Sequence, residues 1–102
     1  MADGRDHYAS GNWTVKEGRA EEFITRWKSW LTTSAQNVPG FGSATLIRDI
    51  YNPNHFISYS DWDDPKMRDQ WKNTPEFAEG MANVRELTDD FSGGDYVVAV
   101  RI

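Results

Sequence analysis

The chain contains no cysteine. Disulfides, thiolate metal sites and a cysteine nucleophile are therefore excluded, and the absence agrees with a reducing, cytoplasmic setting. Positive charge is also short: 11 Lys and Arg stand against 16 Asp and Glu, for a net charge of −5. Phosphate binding needs clustered basic residues, and here they are scattered among more numerous acids, so no nucleic-acid partner is expected. No apolar run approaches the roughly 20 residues that span a bilayer, so no membrane partner is expected either. The opening stretch, residues 1–6, is small and polar, reads as a disordered tail and lacks the apolar core of a secretion signal. Repeats and low-complexity tracts are missing too.

What is abundant is aromatic. Five Trp, four Tyr and five Phe make up 14% of 102 residues. A single domain of this length has a thin core, with little room for so many large rings. Some of them must line a pocket or an interface.

Residues 7–102 read as one domain. His7 to Val15 is a strand signal in which Ala9, Gly11, Trp13 and Val15 alternate with Tyr8, Ser10, Asn12 and Thr14. From Arg19 to Ala35, apolar residues recur every three or four positions (Phe23, Ile24, Trp27, Trp30, Leu31), as on one face of a helix. Ser43 to Asp49 and His55 to Trp62 read as strands joined by a turn at Tyr51-Asn52-Pro53-Asn54, an antiparallel hairpin. Asp64-Pro65 and Thr74-Pro75 each pair a capping side chain with a proline at the first helical position. They predict an interrupted helical region, its second piece bearing Phe77, Met81, Val84 and Leu87 on one face. Ser92-Gly93-Gly94 is expected to end it, and Tyr96 to Ile102 to form the last strand. The order is βαββαβ with the two-part helix as its second α, an α+β ferredoxin-like fold with an antiparallel sheet. Helices would cover one face only. The other, expected to carry Trp13, Ile57 and Tyr59, would pair with a second copy in a homodimer.

With that order in place, several segments resemble the antibiotic biosynthesis monooxygenase family. Gly11 to Phe23 resembles its opening strand, turn and first helix, and Pro39-Gly40-Phe41 its turn before strand two. Phe56 to Trp62 resembles its third strand with a terminal Trp, and Trp71 to Phe77 the segment that follows. The resemblance implies a dimeric α+β barrel with a pocket between each sheet and its helices, acting with molecular oxygen on a small aromatic or polyketide-like substrate without a cofactor. A non-catalytic small-molecule-binding dimer and a cyclase or isomerase remain open on the same fold. The haem-degrading branch has an Asn on strand one, a Trp after strand three and a His ten residues beyond it. Asn12 stands one residue off, Trp71 matches, and the His position holds Met81. Without that axial imidazole haem has no ordinary ligand. The quinone-forming branch has Asn, Trp and Tyr where this chain has Ser58, Trp62 and Arg68.

Cofactor-free oxidation asks for a proton acceptor, donors for the substrate anion and a water-poor cavity. Asn12, Trp62, His55 and His7 are the candidate catalytic residues, the histidines because imidazole titrates near neutrality. Neither histidine has a partner at a metal-binding spacing, so no metal is expected. Trp71, Ser58, Ser60, Tyr8, Trp27, Phe77, Met81 and Arg68 are the candidate substrate contacts. The resemblance implies that Trp62 faces the helices, which turns Phe56, Ser58 and Ser60 the same way. Tyr8, Ser10 and Asn12 are expected to join them, the alternative being that these polar residues are solvated and the opposite set is buried.

Overall fold

A computed structural model describes residues 5–102. The order is β1 (His7–Val15), α1 (Ala20–Asn37), β2 (Phe41–Arg48), β3 (His55–Trp62), α2 (Pro65–Lys72), α3 (Pro75–Arg85) and β4 (Thr88–Val97). The sheet is antiparallel throughout, in the order β2-β3-β1-β4. This is the ferredoxin-like α+β arrangement the sequence predicts. Residues 1–4 of the expected tail lie outside the described residues. Arg5 pairs with Asp63, and Asp6 accepts from Arg101.

The helices begin where local chemistry requires. Gly18 turns the chain with φ +77°, a conformation that side chains resist. Glu21 and Glu22 then sit at the positive end of α1. Asp64 accepts from the Lys66 amide, and Thr74 from the Phe77 amide, each ahead of a proline at the helix start. The core is the layer between sheet and helices. Trp13, Phe23, Phe56, Trp62, Val84 and Leu87 are at most 2% exposed there.

Two expectations are corrected. The last strand is Thr88–Val97, not Tyr96 to Ile102, and Ser92-Gly93-Gly94 lies inside it rather than ending a helix. Apolar periodicity is the wrong guide here because β4 is an edge strand. It pairs with β1 alone, and its outward residues need not be apolar. The second correction concerns β1. Ala9, Gly11, Trp13 and Val15 are the buried set, under the helices, and Tyr8, Ser10, Asn12 and Thr14 alternate to the open face. Register explains it. Trp13 sits opposite Phe56 and Gly11 opposite Ser58, whereas Asn12 sits opposite Ile57. Residues paired across strands share a face, so Asn12 and Tyr8 go with Ile57 and Tyr59, and Trp13 leaves the open face.

Candidate functional site

A cavity of about 380 Å³ lies between the sheet and the helices. Its floor is the middle of the sheet, with Gly11, Ser58, Ser60 and Gly93. Trp27, Trp30 and Leu31 of α1, Trp71 of α2, and Phe77 and Met81 of α3 wall it. Lys72 is the one charged side chain among the lining residues. The size falls within the range of small-molecule pockets.

The floor stays open because two side chains are missing. Gly11 and Gly93 are paired across β1 and β4. A Cβ on Gly11 would lie 2.7 Å from Trp13 Nε1 and 2.9 Å from Ser58 Oγ. Such contacts are not tolerated, so even alanine would displace the floor. The walls are rings packed on rings: Trp71 lies 4.7 Å from Phe77, 5.1 Å from Trp62 and 6.0 Å from Trp30, centroid to centroid. Trp13 closes one end against Phe91 at 4.3 Å. Stacked, tilted and edge-on pairs of this kind hold a rigid wall.

Hydrogen bonds fix the floor. Trp13 Nε1 donates to Ser58 Oγ at 2.9 Å, and Trp62 Nε1 to Ser60 Oγ at 3.0 Å. Both serines are buried, at 7% and 4% exposure. Trp62 itself is fully buried and does not line the cavity. It stands behind Trp71 and Phe41. At the rim, Lys72 Nζ bonds Asp95, and the half-exposed Asp69 and Asp95 flank the Arg68 Nε at 3.2 and 3.7 Å. Arg68 is buried and reaches the Tyr8 carbonyl, outside the lining.

A second grouping forms on the open face. His55 Nδ1 lies 3.0 Å from Asp49 Oδ2, and His55 Nε2 2.8 Å from Asn12 Oδ1. His55 holds the Asp49 carboxyl below its ordinary range, helped by the Tyr51 and Asn52 amides. His7 starts β1 opposite Trp62, half-buried.

The cavity thus gathers Trp27, Trp71, Ser58, Ser60, Phe77 and Met81 from the predicted residues, while Asn12 and His55 meet each other on the opposite face. Sequence reasoning missed Gly11, Trp13, Trp30, Lys72, Phe91 and Gly93. A usable signal existed for Trp13 and Gly11. They alternate with Ala9 and Val15 in the mostly apolar set of β1, and the more apolar set is the one helices bury. Gly93 and Phe91 carried none, since the strand holding them was misplaced.

A half-covered antiparallel sheet with an aromatic-walled, serine-floored cavity under its helices defines a ferredoxin-like α+β domain with room for a small molecule. The match to a family model makes the class particular: residues 7–83 fit the antibiotic biosynthesis monooxygenase model, and the chain belongs to that family. Solved structures share the fold. SnoaB, a cofactor-independent oxygenase from Streptomyces nogalater, superposes with a TM-score of 0.85 at 20% identity, over 96% of this chain and 97% of that one. A conserved protein from Methanosarcina mazei Go1 gives 0.80 at 19% identity, over 93% and 94%. PA3566 from Pseudomonas aeruginosa gives 0.76 at 15%, over 98% and 100%. No curated protein matches the chain. Among the described residues, no helix is long and apolar enough to cross a membrane.

Proposed function

We propose that this protein is a cofactor-independent monooxygenase of a small, flat aromatic or polyketide-like substrate, bound in the cavity between sheet and helices. The observation that carries the reading is a half-open, aromatic-walled cavity whose floor holds two buried serines. With a flat substrate seated between the rings, water is displaced from the floor and the dipoles there act more strongly, as oxidation of an electron-rich anion by molecular oxygen requires. For an anthrone-type substrate the reaction balances without a metal or flavin. The activated methylene loses two hydrogens and gains one oxygen atom as a carbonyl, and the second oxygen atom leaves as water. No imidazole or carboxylate is among the lining side chains, which favours a substrate acidic enough to enter as its anion.

The open face supports a homodimer paired sheet to sheet. Ile47, Tyr59 and Tyr96 are 48%, 38% and 60% exposed there, an apolar surface that a second copy would cover. A second reading, in which chemistry lies around His55 and Asn12, is favoured by their hydrogen-bonded contact with Asp49. Oxygen consumption by metal-stripped protein with anthrones, hydroquinones and related polyphenols tests the proposal. Uptake above the protein-free rate is expected. A ligand that binds the cavity without any uptake across the panel would leave a binding protein instead.

A further inference from the structure

The chain has a net charge of −5, yet among the described residues the one charged side chain lining the cavity is a cation, Lys72. In a cleft with low-dielectric walls, such a charge sets the sign of the field that an entering molecule meets. Lys72 is held by Asp95, and the charges around that carboxylate are unevenly matched. Arg68 and Lys72 stand four residues apart on α2, so they share a helix face. Asp95 stands two residues beyond Gly93 on β4, so its side chain lies on the covered face beside the cavity floor. One carboxylate therefore faces two cations. Its Oδ1 bonds Lys72 Nζ and lies 3.7 Å from Arg68 Nε, too far for a hydrogen bond.

Arg68 is short of partners for a buried guanidinium. Its side chain is 11% exposed, with Nε 3.2 Å from the solvated Asp69 and Nη1 3.4 Å from the Tyr8 carbonyl. Five N–H donors with two long contacts leave this cation under-bonded. A shift of about 1 Å would bring Asp95 to hydrogen-bond distance of Arg68 Nε. Leaving Lys72 costs little, because both Lys72 and Asp95 are partly exposed and such pairs contribute little to stability.

We infer that Lys72 anchors a carboxylate at the rim end of the cavity ligand, and that Asp95 frees this anchor by passing from Lys72 to Arg68. The inference rests on the cavity being the ligand site, and it narrows the ligand to flat aromatic acids. The exchange improves the pairing of charge. Before binding, one carboxylate serves two cations. Afterwards Asp95 serves Arg68, the ligand's carboxylate serves Lys72, and each cation has its own anion. Arg68 acts here as a positioning residue, since it stands outside the cavity lining.

The test is equilibrium dialysis of the whole protein against 2-naphthoate and against 2-naphthamide, two probes of one shape that differ in charge. Unaltered protein should bind the acid about tenfold more tightly than the amide, by a margin that shrinks as salt is added. Lys72→Met keeps a long side chain without its charge and should bring the two probes within about twofold of each other. Lys72→Arg should restore most of the margin. Asp95→Asn removes the competitor for Lys72, so it should tighten the acid about threefold and leave the amide nearly unchanged. Arg68→Gln should weaken the acid about threefold, and adding Asp95→Asn to it should recover the loss. A merely structural Arg68 would weaken both probes without such rescue, which would overturn its part. Lys72 and Asp95 are partly exposed, so their variants carry the test even where Arg68→Gln fails to fold. Equal binding of the two probes by the unaltered protein would overturn the inference while leaving the cavity as the ligand site. A margin that survives Lys72→Met, or an acid weakened by Asp95→Asn, would overturn it as well. Binding of neither probe would remove the cavity reading, and this inference with it.

Discussion

One sheet presents two unlike faces, and β1 contributes to both. Toward the helices it offers Ala9, Gly11, Trp13 and Val15, all buried. Toward the open side it offers Tyr8, Ser10, Asn12 and Thr14, half-buried or exposed. The covered face is apolar with two polar points, each tied to an indole. The open face mixes Ile47, Tyr59 and Tyr96 with the Asp49–His55–Asn12 contact. A period-two element lets a thin domain keep the proposed ligand chamber and the proposed association surface one residue apart in sequence. Function can then be lost on one face without disturbing the other.

Stability should show the widest contrast. Trp62→Ala removes a fully buried ring that backs Trp71 and Phe41, and should cost about 3–5 kcal/mol in urea denaturation. Ile47→Ser on the open face should change chain stability by no more than about 0.5 kcal/mol, while shifting sedimentation toward the monomer. Equal losses from the two changes would break the distinction between the faces. Next comes the chamber floor. Gly11→Ala should reduce ligand binding more than tenfold by displacing Ser58 and Trp13, measured by dialysis. Retained affinity would mean that the ligand never reaches the floor.

The smallest effect concerns acid. The carboxyl of Asp49 is held low by His55 first, then by the Tyr51 and Asn52 amides. A depressed folded value adds stability that is present above the ordinary carboxylate range and lost as pH falls through the lowered value. Asp49→Asn should therefore lower stability slightly at neutral pH, flatten the acid limb of a stability–pH curve and match the unaltered protein once pH falls below the lowered value. The effect is small because the side chain is partly solvated. A steep change at neutral pH would assign the open-face contact a larger role.

Much of this fold was legible because its signals are local. The proline-led helix starts at Asp64 and Thr74, the α1 stripe and the β3 alternation each depend on neighbours within four residues. Trp27, Phe77 and Met81 were legible from helix periods in the same way, whereas Trp71, Ser58 and Ser60 followed from the family resemblance, which turns Trp62 and its alternate neighbours toward the helices. The errors lie where placement is set across strands. Whether Asn12 or Gly11 faces the helices depends on the pairing of β1 with β3, and a one-residue difference inverts the answer. The Gly93 floor depends on β4, whose polar edge sequence hides its strand character. Lys72 at the rim is tied down by Asp95, 23 residues later, a contact without local trace.

Under the proposed function, chemistry belongs to the covered face. Oxygen uptake tests it most directly, comparing Trp71→Ala in the chamber wall with Asn12→Ala on the open face, under saturating anthrone and with both variants confirmed folded. Trp71→Ala should lose at least tenfold in rate while Asn12→Ala stays within about twofold of the unaltered protein. The opposite ranking would contradict it and move the reaction to the neighbourhood of His55.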